Sequence, residues 1–276
     1  MAYIHPEYFK DKVIIITGAS FGIGLASARL FGSLGAKVVM AARSYEKLLE
    51  LAPGVSSDPK KVLCVKTDVS VESDCKELIE RTVAEFGRID ILVNNAGISM
   101  RAMFKDLDLS VIHSLMDVNF WGTVNCTKYA LPWLLESKGQ LVGVISIAGY
   151  SALPARAGYS SSKYAVRGFL DTIRIEHLKD GLGVLVFAPG YTDSNVRKAA
   201  LTADGTPQGE TPLKEEKLMS AETCAMHLAK ALARRKSQKI LTAIGKLTVV
   251  AHNLFPRLTD RLTYSYIARE AGSPFK

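Results

Sequence analysis

The chain has 276 residues, 48% hydrophobic and 22% charged, with a formal net charge of +8 and four cysteines. That length suits one large α/β domain or two small ones with a substantial core, and the composition is that of a soluble globular protein. No apolar run approaches the roughly 18 residues that span a bilayer, which excludes a membrane-crossing helix.

The opening residues, MAYIHPEYFKDKV, lack the basic flank and apolar segment of a secretory signal, so a cytoplasmic location is expected. Cys64, Cys75, Cys126 and Cys224 show no C-x-x-C spacing and no histidine partners, which predicts free thiols and no metal. His5, His113, His177, His227 and His252 show neither ligand nor triad spacing. No G-x-S-x-G elbow follows a strand, which disfavours a hydrolase.

In chain order, KVIIITGA, AKVVMAAR, KVLCVKTDV, IDILVNNAG, QLVGVISIAG and LGVLVFAPG are short, nearly continuous runs of Val, Ile and Leu. Strands buried on both faces read this way. Amphipathic segments such as IGLASARLFGSLG and DCKELIERTVAEFG separate them, each closing on a helix-terminating glycine. Six strands with helical crossovers predict an α/β doubly wound parallel sheet, the Rossmann fold, with residues 1–276 as one domain.

The first strand runs directly into TGASFGIG, Thr17 to Gly24. Glycines there let the backbone turn tightly and approach a pyrophosphate, and the following helix offers free N–H groups and the positive end of its dipole. The second strand ends Ala41-Ala42-Arg43, without the carboxylate that would bind a ribose 2′-hydroxyl. Arg43 could clamp a 2′-phosphate in its planar fork, which favours NADP(H).

NNAG, Asn94 to Gly97, ends the fourth strand; Asn119 lies in a helical segment, MDVNFWGT, and Ser146 ends the fifth strand. Thirteen residues later comes YSSSK. Residues four apart share a helix face, so Tyr159 and Lys163 stack. A phenol near pH 10 is a poor proton exchanger at neutral pH, and an adjacent ammonium should draw its pKa down. The intervening serines are expected to keep the opposite face small.

TGASFGIG, Asp68-Val69, NNAG, Asn119, Ser146, YSSSK and PGYTDS together resemble the classical short-chain dehydrogenase/reductases over roughly residues 11–245. The layout is most similar to the branch of hydroxysteroid dehydrogenases and lipid-ketone reductases. The resemblance implies hydride exchange between NADPH and a carbonyl carbon, with Tyr159 as proton donor and Ser146 hydrogen-bonded to the same oxygen. Lys163 would act on Tyr159 and hold the nicotinamide ribose, and Asn119 would fix a relay water. Gly18, Ser20, Phe21, Gly22, Ile23 and Gly24 would cradle the phosphates and Asp68 with Val69 the adenine. Asn95, Ala96 and Gly97 would line the adenine-ribose side, and Pro189, Gly190, Thr192 and Ser194 the nicotinamide and its phosphate. Ser20 and Phe21 stand where NADP-preferring relatives often carry a basic residue, and Ser194 replaces the usual threonine. The resemblance also implies a homodimer or homotetramer.

The expected function is interconversion of a ketone and a secondary alcohol on an apolar, steroid-like or long-chain substrate. The alternatives are a 3-oxoacyl thioester reductase and a non-catalytic NADP-binding regulator, the latter disfavoured by the intact Asn119, Ser146, Tyr159 and Lys163 set. A methyltransferase on a similar sheet leaves Tyr-x-x-x-Lys unexplained.

Residues 195–220 are polar and rich in Gly, Pro and Thr, a pattern suited to a substrate lid. From Lys214 to Lys276 there are twelve Lys or Arg against five Asp or Glu, yet few aromatics accompany Arg234, Arg235 and Lys236, which speaks against nucleic acid. Residues 246–276 form an amphipathic extension: Leu247, Ala251, Leu254, Leu258, Leu262 and Tyr266 recur every three or four positions, with Arg257, Arg261 and Arg269 alongside. Pro256 should break this helix near Phe255. The stripe is expected to pack on the body or a second subunit, the other reading being contact with a membrane surface.

Overall fold

The six β-branched runs form the strands Val13–Thr17 (β1), Lys37–Ala42 (β2), Val62–Lys66 (β3), Ile91–Asn94 (β4), Gln140–Val144 (β5) and Gly183–Ala188 (β6). The computed structural model describes residues 6–190, 192, 199–209, 218–269, 273 and 275. A seventh strand, Gln238–Ile240 (β7), joins the edge of the sheet beside β6. The sequence reading missed it because three half-exposed residues carry no period that could announce a strand.

All pairings are parallel, in the order β3-β2-β1-β4-β5-β6-β7. The chain winds outward from β1 in one direction and then from β4 in the other. That reversal opens a crevice at the carboxyl ends of β1 and β4, where sheets of this kind bind ligands.

Successive side chains of each strand enter opposite cores. Ile14, Ile16, Val38, Met40, Leu185 and Phe187 face one core, which the helices Gly22–Ser33 (α1) and Ala221–Ala233 (α7) cover with Ala28, Phe31, Leu228 and Leu232. Val13, Ile15, Val39, Leu141 and Val184 face the other. The helices Glu72–Phe86 (α3), Gly122–Glu136 (α5) and Ala157–Glu176 (α6) close it with Leu78, Ala130, Leu134, Val166 and Leu170. α3 ends on Gly87 at φ 72, the left-handed cap that its sequence predicts.

The tail forms two helices, Ala243–Leu254 (α8) and Pro256–Ala268 (α9), with the break at Phe255 that Pro256 imposes on the residue before it. The apolar stripe does not pack on the body of this chain. Leu247, Leu254, Leu258, Leu262 and Tyr266 are each more than half exposed, and α8 and α9 anchor themselves instead through the buried Val249, Thr259 and Ile267. Of the two partners expected for the stripe, the chain's own body therefore does not cover these residues, which corrects that half of the expectation.

Candidate functional site

The turn after β1 is shaped by what its glycines exclude. Gly18 has φ +66, and a Cβ there would lie 2.9 Å from the Cα of Ala96. A Cβ on Gly24 would sit 2.2 Å from the Gly18 carbonyl oxygen and 2.6 Å from Asn95 Nδ2. The turn, α1 and the end of β4 are therefore in backbone contact, and any side chain would push them apart. Thr17 ties them: its Oγ1 accepts from the N–H groups of Asn95 and Ala96, both at 3.0 Å, while Asn95 Nδ2 donates to the Thr17 carbonyl at 2.9 Å. Thr17 opens the glycine motif and was legible as part of it, yet nothing in the sequence marked its hydroxyl as the knot.

Phe21 caps α1 without a side-chain hydrogen bond, so the first-turn N–H groups are left to an anion. A dinucleotide fits here: a pyrophosphate could approach the bare backbone of Gly18 to Gly24, with Ser20 buried, Ile23 half-buried and Phe21 exposed around it. Arg43 stands exposed just past the end of β2, and among the described residues its guanidinium has no ion-pair partner. Asp68 is half-buried past the end of β3, its carboxylate accepting from Ser70 N–H at 3.0 Å and Ser70 Oγ at 2.6 Å, with Val69 buried beside it.

The catalytic candidates meet at the same end of the sheet. Asn119 lies in a π-helical turn, Met116–Trp121, between the helix Leu109–Leu115 (α4) and α5. Its Oδ1 accepts from Ile98 N–H at 2.8 Å, and its Nδ2 donates to the Ile98 carbonyl at 3.0 Å and to Ser162 Oγ at 2.9 Å. The amide is thus a strut between the stretch after β4 and α6, and a relay water would have only the remaining lone pairs to use. A Cβ on Gly97 would lie 3.0 Å from Asn119 Oδ1 and 3.3 Å from Lys163 Nζ, which places those three residues together.

Lys163 is buried and donates to the Val144 carbonyl at 3.0 Å, with Nζ 5.8 Å from the Tyr159 ring centroid. Burial pulls its pKa down to about 8. The expected lowering of the Tyr159 pKa does not hold. Burial raises it, and the hydrogen bond with Ser146 and the charge of Arg156 only partly oppose that. The phenol accordingly stays protonated at neutral pH. The serines are also more than small: Ser160 and Ser162 are buried, Ser160 Oγ accepting from Leu153 N–H at 3.3 Å and Ser162 Oγ donating to the Tyr159 carbonyl at 2.8 Å.

At the positions expected to meet the nicotinamide, Pro189 is buried and Gly190 packs against Thr242, a residue at φ +63 that the sequence did not single out. Thr192 is buried, its Oγ1 donating to the Gly190 carbonyl at 3.2 Å. Ser194 lies outside the described residues, as do positions 195–198 and 210–217 of the expected lid. Of the described parts, 199–209 and 218–220, the first docks beside the site: Leu201 N–H donates to the Ser99 carbonyl and Arg101 N–H to the Leu201 carbonyl, both at 2.8 Å.

A family model described as short chain dehydrogenase matches residues 12–204. Dehydrogenase/reductase SDR family member 7B of Rattus norvegicus is 34% identical over 274 residues, covering 96% of this chain and 84% of the relative. An 11-beta-hydroxysteroid dehydrogenase-like 6 of Arabidopsis thaliana is 38% identical over 240 residues, covering 84% and 70%. Among solved structures, an alcohol dehydrogenase from Thermococcus sibiricus complexed with 5-hydroxy-NADP superposes with a TM-score of 0.75 at 26% identity, over 86% of this chain and 98% of that one. Sheet order, site geometry and these likenesses agree: the chain belongs to the short-chain dehydrogenases, oxidoreductases of alcohol and ketone groups, close to their hydroxysteroid dehydrogenase branch.

Proposed function

We propose that the protein is an NADP(H)-dependent reductase of apolar ketones. The observation that carries this reading is the convergence of Ser146, Tyr159 and Lys163 beside the glycine cradle, with the Tyr159 ring packed against Met100, Leu107, Val111 and Leu115. The preference for NADP rests on Arg43 at the end of β2, and the archaeal relative that holds 5-hydroxy-NADP supports it.

A bound nicotinamide dinucleotide would supply hydride to the carbonyl carbon. Tyr159 Oη, kept protonated by burial, gives its proton to the carbonyl oxygen as negative charge develops there. Ser146, already hydrogen-bonded to the phenol, donates to the same oxygen. Lys163, anchored on Val144, keeps a positive charge beside the ring and would hold the ribose hydroxyls of a bound dinucleotide. The apolar wall next to Tyr159 excludes water and selects a steroid-like or long-chain ketone, with the segment around 199–209 as its lid.

The exposed stripe on α8 and α9 suits a lipid surface that would deliver such a substrate, with Arg257, Arg261 and Arg269 meeting anionic head groups. The test of the chemistry is NADPH consumption against a panel running from small diketones through steroids and keto-sphingoid bases to 3-oxoacyl thioesters. Activity on one apolar class, abolished by Tyr159→Phe and weak with NADH, is expected. A Tyr159→Phe variant as active as the parent would end the proposal.

A further inference from the structure

The helix that carries the reacting phenol begins unfavourably. Its N-cap is Arg156, which makes no side-chain cap bond, and a cation at that end opposes the helix dipole. The guanidinium instead turns back across the fold. Nη1 donates to Ser99 Oγ at 2.9 Å and to the Met100 carbonyl at 2.6 Å, and both of those residues are buried. The preceding residue, Ala155, holds φ +57, and its carbonyl accepts from Ala102 N–H at 3.0 Å. Ser99 and Arg101 in turn carry the two backbone hydrogen bonds to Leu201. Arg156 therefore stands where three segments meet: the start of α6, the stretch 98–102 that follows β4, and the segment 199–209.

Tyr159 is three residues on, within the first turn of the same helix. We propose that Arg156 is the positioning residue for the proton donor: by gripping Ser99 and Met100 it fixes the first turn of α6, and with it the Tyr159 phenol, against the substrate side of the site. The inference rests on Tyr159 being the donor, as proposed above. The surroundings of the phenol fit this role. Val111 and Leu115 of α4, with Met100, present an apolar wall to the ring. Ser146 supplies a hydrogen bond from the end of β5, Lys163 lies 5.8 Å from the ring centroid, and Arg156 is a cation whose charge favours the phenolate. Among the described residues no carboxylate is a cause of the shift at Tyr159.

The experiment uses the full chain with Arg156→Gln, Arg156→Lys and the Tyr159→Phe reference. Phenolate formation at Tyr159 is read as the ultraviolet absorbance difference between each protein and its Tyr159→Phe counterpart across pH. It needs no substrate. Arg156→Gln should form about tenfold less Tyr159 phenolate at a given pH, a shift of about one pH unit. With a substrate from the panel, kcat should fall about tenfold or more, since proton transfer is compromised, while KM moves less. Arg156→Lys keeps the charge and loses the fork, so it should restore the titration while leaving kcat depressed.

An Arg156→Gln protein with parental titration and kcat, even with a lowered melting temperature, would overturn the proposal and leave a structural staple. If Arg156→Gln fails to fold, Arg156→Lys with parental kcat would overturn it in the same way. Full activity in Tyr159→Phe would instead sink the donor assignment, while the titration would still report whether Arg156 and the phenol are coupled.

Discussion

The two sides of the crevice are held together by different means. On the dinucleotide side, Gly18, Gly24 and Ala96 approach one another at their backbones, tied by the Thr17 hydroxyl and the Asn95 amide, and a single added methyl group would collide within 2.2 to 2.9 Å. On the substrate side, Tyr159, Met100, Leu107, Val111 and Leu115 meet through apolar side chains, and the segment 199–209 is docked by the backbone hydrogen bonds to Leu201 and one from Asp108 to Ala203. A backbone cradle accepts one geometry and so binds one kind of molecule. A side-chain wall can be relined residue by residue without disturbing the sheet, which is where substrate differences within one fold can arise.

The sharpest way to break that comparison is Gly24→Val. The new side chain would meet the Gly18 carbonyl and the Asn95 amide, so NADPH affinity should fall by roughly 100-fold or more, with chain stability reduced by several kcal/mol. Fluorescence titration with NADPH checks the first, urea unfolding the second. Leu107→Ala on the opposite side should leave NADPH affinity within about twofold and change the substrate profile. Equal losses of NADPH binding in both variants would mean the two sides are not separable.

Lys163 belongs to both sides, and its burial gives a pH signature. Its pKa is about 8 against an ordinary 10.5, so between those values the unfolded chain binds more protons than the folded one and stability rises with pH. Below about pH 8 both states are protonated and the slope vanishes. Relative to Lys163→Met, the parent should therefore gain about 2 kcal/mol between roughly pH 8 and 9.5, a window that ends before Tyr159 titrates. Urea midpoints at those two pH values measure it. A flat difference would place the ammonium in contact with water.

A smaller effect is expected at Arg43, which is exposed and, on the proposed reading, acts only through the 2′-phosphate. Arg43→Ala should weaken NADPH binding about tenfold, or about 1.4 kcal/mol, leaving NADH nearly unchanged. Parallel titrations with the two cofactors give the ratio. If both weaken together, Arg43 touches something the cofactors share.

How far the chain could be read follows the same division. Gly18, Gly24 and the six buried strands were legible because backbone contact and β-branched runs demand particular residue types at particular places. Tyr159 and Lys163 were legible from one helical turn of spacing. The work of Ser162, Ser99 and Arg156 was not, since the bonds Asn119–Ser162, Arg156–Ser99 and Arg156–Met100 join residues 43, 57 and 56 positions apart along the chain and hydroxyls and guanidinium groups carry no period. The direction of the Tyr159 shift was misread for a related reason. A helix places Lys163 beside the phenol, but burial is set by β5, α4 and the stretch after β4 together, and no local pattern reports it.

The tail gives the smallest effect on the fold and the clearest separation of fold from surface. Leu254 and Leu258 flank the break at Phe255 and are each more than half exposed, so Leu254→Ser with Leu258→Ser removes almost no buried contact. Stability should stay within about 0.5 kcal/mol of the parent, and NADPH affinity should not move, because the cradle lies on other elements. If the stripe rests on an anionic bilayer, the pair should lose most co-sedimentation with phosphatidylserine vesicles, and the parent should lose it on adding salt, as contacts through Arg257 and Arg261 are screened. If a second subunit covers the stripe instead, the parent would ignore vesicles and the double variant would change its molecular mass in solution. Such a result would move the tail from the substrate-delivery side of the comparison to the assembly side.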